Sequence, residues 1–217
     1  MFRACRATAA ILWAGVALWL PGRAAMAQGS GAAAGGDSLA AGGMVDIGPF
    51  AIDRYEYPNE LGAMPAVNVS WLEAAALCAA CGKRLCTEAE WQTAAAGPGN
   101  LLFGYGDAFD GDRCNTPYLA GGVWRHDRGT AASGSFAGCS SGYGVHDMIG
   151  NVWEWVADTL AASPDARTVR GGSWFNSANM ARADVRYERP LPAGYRLDLI
   201  GFRCCRTVGP ADPAAER

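Results

Sequence analysis

The stretch GYGVHDMIGNVWEWVAD, residues 142–158 of the 217-residue sequence, holds the densest set of side chains able to do chemistry. It puts the carboxylates of Asp147 and Glu154 within eight residues, with a flexible Gly150 and the carbonyl of Val152 between them. Hard cations such as calcium take carboxylate and backbone oxygens from loops of this kind. The same residues also allow a structural reading, with Asp147 capping a turn and Glu154 pairing with an arginine. A second acidic run, GYGDAFDGDRCN, carries Asp107, Asp110 and Asp112. It reads as turn chemistry, because Gly and Asp are first of all turn formers.

Other chemistries are excluded by what is missing. The sequence has no phosphate-binding Gly-rich loop and no HExxH. A formal net charge of -3 and a pI near 5.4 leave no basic footprint, so nucleic acid is not expected as a partner. The CxxC at Cys78 and Cys81 falls late in a helical segment, where the helix dipole would not lower a thiol pKa. Cys86 and Cys114 lie too irregularly for a zinc ribbon.

These residues need a frame to position them. Residues 1–28 carry Arg3 and Arg6, an apolar run from Ala9 to Leu20, and Ala-Met-Ala before Gln28. That is the layout of a secretory signal peptide. The run is about 12 residues, short of the ~20 needed to span a bilayer, so no transmembrane anchor is expected after cleavage. Cleavage near Ala27 removes Cys5 as well, leaving seven cysteines in an exported chain, a setting that favours disulfides. Residues 29–43 are Gly/Ala-rich and read as a flexible linker. Residues 44–208 have the length of one domain, and 209–217 read as a disordered tail.

Within the domain, Val45, Ile47, Phe50 and Ile52 alternate with polar residues, which predicts short antiparallel strands. SWLEAAALCAACGKRL changes period and places Trp71, Ala74, Ala75 and Cys78 on one helical face. Ser70 and Glu73 have capping-box spacing there, and Gly82 stops the run. TEAEWQTAAAG repeats the pattern with Thr87 and Glu90, ending at Gly97-Pro98. The rest is rich in Gly, Trp and short β-like runs. The class is α+β, with two helices, short strands and much irregular coil.

Four segments in order, VSWLEAAALCAACGKRLCTEAEWQTAA, GSFAGCSSGYGVHDMIGNVWEWVAD, VRGGSWFNS and IGFRCC, resemble the formylglycine-generating enzyme, or sulfatase-modifying factor, family from Phe50 to Arg206. The resemblance implies that family's variant of the C-type lectin fold, with structural calcium. It implies side-chain ligands at Asp147 and Glu154 and carbonyl ligands at Gly150 and Val152. A second calcium site would start at Asn115 and Thr116 and continue at Asp127 and Gly129, across a stretch whose length departs from the family. A disulfide between Cys78 and Cys204 is implied as well. A second family disulfide has lost both halves, at Ala95 and Arg186.

Cys86 stands at the family's usual proline, close to the GFRC strand, which suggests Cys86 with Cys205. Cys114 and Cys139 flank the calcium region; their bridge would close a loop of about 26 residues, worth roughly 3 to 4 kcal/mol in the chain-entropy relation. Seven is odd, and this scheme leaves Cys81 over. A rival scheme joins Cys81 to Cys86 and leaves Cys205 over.

Enzymes of this family oxidise a cysteine of a sulfatase to formylglycine using two cysteines, spaced C-x4-C, that bind copper(I), a soft ion suited to thiolates. Those positions fall on Asn176 and Ala181 here, and no cysteine lies between Cys139 and Cys204. The flanking arginines are replaced at Ala178, Ala183 and Val185, while the serine of RGGSW remains as Ser173. A related branch uses a three-histidine iron centre, which His126 and His146 alone cannot supply. Copper is therefore not expected, and no catalytic residue is assigned.

The former active-site segment instead offers Trp174, Asn176, Arg182, Arg186, Tyr187 and Arg189, a mixture of aromatic and charged groups typical of recognition surfaces. The expected function is that of an exported binding or accessory module for a protein or peptide partner, periplasmic or extracellular. The alternative is a divergent formylglycine-generating oxidoreductase that works with other residues.

Overall fold

The computed structural model describes residues 43–160, 163 and 165–209. The signal peptide, nearly all of the linker and most of the tail read from the sequence lie outside these residues. Alternation at the start of the domain becomes a hairpin of β1 (Met44–Ile47) and β2 (Phe50–Asp53), with Val45 opposite Ile52 and Ile47 opposite Phe50.

Two short helices follow, α1 (Trp71–Ala80) and α2 (Glu88–Ala96), with β3 (Arg84–Leu85) between them. Each opens with a reciprocal capping box, Ser70 with Glu73 and Thr87 with Glu90. The cap satisfies two orphan N–H groups of the first turn. Packing supplies the rest that helices this short require: α1 buries Ala74 and Cys78, and α2 buries Trp91, Ala94, Ala95 and Ala96.

The remaining strands are β4 (Tyr118–Ala120), β5 (Val123–Arg125), β6 (Trp153–Thr159), β7 (Ala166–Arg170), β8 (Leu191–Pro192), β9 (Ile200–Phe202) and β10 (Cys204–Thr207). One sheet has the order β1-β2-β10-β3 and another β8-β7-β6-β9, with β6 and β9 parallel, while β4 and β5 pair only with each other. β9 and β10 are separated by Arg203 alone, so the GFRC segment carries the chain from one sheet into the other.

That crossing explains the cysteine doublet. Successive residues of a strand point to opposite faces. Cys204 enters the core cluster of Cys78, Leu85, Trp155 and Phe202, and Cys205 enters that of Ile52, Cys86, Trp91 and Val156. Disulfides accordingly join Cys78 to Cys204 and Cys86 to Cys205, and a third joins Cys114 to Cys139. Cys81 corrects the sequence-based scheme, because it is disulfide-bonded too and no described cysteine is a free thiol. The odd count rested on discarding Cys5 with the leader, which lies outside the described residues. Among the described residues no helix is long and apolar enough to cross a membrane.

Candidate functional site

At the junction of the sheets lies a fully buried polar network centred on Arg203. Its Nε and Nη2 donate to Glu154 Oε2 and Oε1, both at 2.7 Å. Its remaining N–H groups reach the carbonyls of Asp53 at 3.1 Å, Arg54 at 3.3 Å and His146 at 2.9 Å. Trp91 on α2 donates its indole N–H to Glu154 Oε2 at 2.7 Å. One guanidinium thereby fixes β2, β6, α2 and the loop before β6 with respect to one another.

Two more carboxylates lie close by. Glu56 accepts from Ser133 Oγ at 2.6 Å and from Asn151 Nδ2 at 2.7 Å. Asp147, at a positive φ of 59°, accepts from the Gly134 N–H at 2.6 Å. Burial, followed by the neighbouring charges of Asp147 and Glu154, pushes the Glu56 carboxyl up to about 8. Burial raises Asp147 to about 6, with the Glu154 charge adding to it. Three carboxylates thus face one buried arginine, and the cluster is short of positive charge.

Of the four residues expected around calcium, Asp147 and Glu154 meet that network, while Gly150 donates its N–H to the Gly171 carbonyl at 2.8 Å and Val152 is buried. Asp147 and Glu154 are both buried, and Glu154 pairs with an arginine, as the structural reading of the loop has it. Hard oxygen donors in a cluster short of positive charge fit a hard cation. Glu154 Oε2 already takes two donors and Oε1 one, so any ion there would have to share the carboxylate with Arg203.

In the second set of four, three of the four groups already hold other partners. Asn115 Oδ1 is buried with no donor, which suits a ligand atom. The Thr116 carbonyl accepts from Arg128 Nη1 at 3.1 Å, the Gly129 carbonyl from Asn115 Nδ2 at 2.9 Å, and the exposed Asp127 from the Tyr118 hydroxyl at 3.1 Å. Arg128 Nη1 also reaches the carbonyls of Gly111 at 2.6 Å and Cys114 at 3.1 Å, so a guanidinium occupies this group of oxygens. Among the described residues no three His, Cys, Asp or Glu side chains come together as a metal-holding group, either here or around Arg203.

At Asn176 and Ala181, the positions that counting from RGGSW gives for the family's copper ligands, the chemistry is amide and methyl. Asn176 Oδ1 accepts from Trp153 Nε1 at 2.7 Å and from Ser173 Oγ at 2.6 Å. Ala181 is buried, and a Cβ built on Gly172 would stand 3.0 Å from its Cα. Beside Asn176 opens a pocket of about 110 Å³ lined mainly by Trp153, Tyr187, Leu191, Tyr195, Leu197 and Ile200. The Tyr187 ring meets Trp153 edge-on at 5.5 Å.

Of the expected cleft residues, then, Asn176 and Tyr187 share one pocket. Trp174 is half-buried, its indole N–H buried without an acceptor among the described residues. Arg182 is held by Asp184 at 2.6 Å, Arg186 approaches Glu88 at 3.4 Å, and Arg189 is exposed. Tyr195 and Leu197 on the pocket rim were missed, as was Arg203. The signal for Arg203 was present: a lone cation in IGFRCC among residues bound for the core.

Comparison with known proteins agrees with this geometry. Residues 56–208 match the sulfatase-modifying factor enzyme 1-like domain. The inactive C-alpha-formylglycine-generating enzyme 2 of Mus musculus is 35% identical over 161 residues, covering 67% of this chain and 50% of that protein. The formylglycine-generating enzyme of Thermomonospora curvata is 39% identical over 117 residues, 45% of this chain and 34% of its own. The chain spans about half the length of the mouse relative. Among solved structures, PvdO from Pseudomonas aeruginosa superposes with a TM-score of 0.58 at 23% identity, over 73% of this chain and 80% of its own. Treponema denticola variable protein 1 gives 0.60 at 19% identity, over 73% and 84%. At such identities these two speak for the fold alone, the formylglycine-generating-enzyme type of the C-type lectin fold. With the domain match running from Glu56 through the GFRC strand to Val208, the chain belongs to the sulfatase-modifying factor, or formylglycine-generating enzyme, family.

Proposed function

We propose that this chain is a binding or accessory module for a protein or peptide partner and lacks the copper-dependent cysteine oxidation of its family. Asn176 carries the reading. A doubly hydrogen-bonded amide stands where a thiolate is needed, its companion position is a buried methyl, and the adjoining space is an apolar pocket suited to a side chain. The mouse relative that is named inactive supports the same view. Export, to the periplasm or out of the cell, is supported by the density of disulfides. Structural calcium belongs to the proposal as well, held by Asp147, Gly150, Val152 and Glu154 and supported by the charge deficit around Arg203.

Random peptides displayed on phage and selected on the purified full chain test the binding reading. Selected peptides are expected to bind the native protein and to weaken on the order of tenfold against Tyr195→Ala at the pocket rim, the loss of one aromatic anchor. Failure to select any peptide, or selected peptides indifferent to every pocket variant, would contradict it.

A further inference from the structure

We propose that the β4–β5 hairpin is a separate docking surface that takes an extended polypeptide segment as an added strand, with a large apolar side chain next to an acidic one. The inference rests on the binding-module reading and adds a second place and a recognition rule. β4 and β5 join through Gly121 and Gly122, at φ 59° and 77°, a two-residue turn that sets Leu119 opposite Trp124 and Ala120 opposite Val123. In such a hairpin the Ala120–Val123 and Tyr118–Arg125 pairs exchange hydrogen bonds, and the N–H and C=O of Trp124 point outward from the free edge of β5. No described backbone group bonds them. Edges are ordinarily blunted by Pro, Lys or other charges, bulges, covering segments or shortness; β5 reads Val123-Trp124-Arg125, short and with one charge but without Pro or Lys, and no described strand pairs with its outer edge.

The side chains make the edge selective. Trp124 is 52% exposed and Leu119, its cross-strand partner on the same face, 58%. Trp124 and His126, two residues apart on one face, line with Pro117 and the turn Ser177–Asn179 a groove of about 350 Å³. His126 Nδ1 lies 2.8 Å from the Phe175 carbonyl, which ties the end of the hairpin to the segment after RGGSW, and Phe175 adds a ring that is 53% exposed. Arg125 points to the opposite face, exposed and in no ion pair among the described residues.

An added strand alternates its side chains between the same two faces. The residue entering the groove face must be apolar, and its neighbour on the Arg125 face is favoured by charge to be Asp or Glu. A second copy of this chain fits less well. Antiparallel pairing of two β5 edges about Trp124 would set Arg125 opposite a valine and leave it without a counter-ion.

The test uses the full chain and two fluorescein-labelled peptides, Thr-Val-Asp-Phe-Val-Thr and the same sequence with Lys for Asp, read by polarisation. The Asp peptide is expected to bind, and to weaken on the order of tenfold when the Phe amide is N-methylated or the protein carries Trp124→Ser. Arg125→Glu, an exposed change that spares the fold, is expected to reverse the preference toward the Lys peptide. No measurable binding of either peptide, or equal binding of the two with no reversal in Arg125→Glu, would overturn the proposal. Binding that is lost only with Tyr195→Ala would keep the proposed function and overturn the hairpin site. A concentration-dependent dimer abolished by Trp124→Ser would assign the edge to a second copy and also overturn it.

Discussion

Arg203→Met removes a fully buried cation from the junction of the two sheets and keeps most of the side chain's apolar volume. Five hydrogen bonds disappear, two to Glu154 and three to the carbonyls of Asp53, Arg54 and His146. Glu154, 1% exposed, is left with the Trp91 N–H as its donor. Removing one partner of a buried ion pair costs roughly 3–5 kcal/mol, because the other charge stays desolvated and unpaired. At roughly 2–4 °C per kcal/mol for a domain of this size, the melting temperature should fall by about 6–20 °C.

The assay is urea unfolding followed by tryptophan fluorescence, with disulfides intact and a chelator present. Burial shields the pair from ions, so the loss should be the same at low salt and near 1 M, where the Debye length is about 3 Å. The double variant Arg203→Met/Glu154→Leu should recover part of the loss, since the Glu154 carboxylate is then gone while the carbonyls of Asp53, Arg54 and His146 stay without Arg203. A loss below about 1 kcal/mol, or one that vanishes in high salt, would refute the reasoning, since exposed pairs behave that way.

Three further outcomes follow from the same geometry. Glu56 is raised from 4.5 to about 8, so the folded state holds its proton more tightly than the unfolded one; the stability this gives is fully present below about pH 4.5 and is lost as pH rises toward 8. In chelator, Glu56→Gln should flatten the decline of the melting temperature over that interval, leaving the smaller slope from Asp147, and an unchanged slope would contradict the assignment. Adding calcium to chelated protein should raise the melting temperature of the native chain and not that of Asp147→Ala; equal shifts in both would place any ion elsewhere. Replacing Cys114 and Cys139 together by Ala opens a bridge of sequence separation 25 and should cost roughly 3 to 4 kcal/mol in denaturant unfolding.

What was legible in the sequence was local. Ser70 with Glu73 and Thr87 with Glu90 marked both helix starts, because a capping box acts within one turn. Cys78 with Cys204 and Cys86 with Cys205 were reached through the family motifs rather than through spacing, since each bridge spans more than a hundred residues. Asp147 and Glu154 stood out as acids in a short loop, but their setting depends on Glu56 and Arg203, which the fold brings in from 98 and 49 residues away along the chain, so no window of sequence holds the network.

The hairpin was missed for a different reason. Gly121-Gly122 between YLA and VWR is a hairpin signal, but strands of three residues give too few alternations to register as strands. Arg128 likewise gave no sign that its guanidinium would gather the carbonyls of Gly111, Cys114 and Thr116, because contacts to backbone carbonyls leave no trace in residue type.

The most direct measurement is copper(I) titration of the purified full chain against a colorimetric chelator, followed by incubation with oxygen, reductant and a cysteine-containing sulfatase peptide analysed by mass. With Asn176 and Ala181 in place of a thiolate pair, the expected result is no stoichiometric copper(I) and no aldehyde in the peptide. One equivalent of copper(I) held by the native chain, together with conversion of the peptide cysteine to formylglycine, would contradict the central claim.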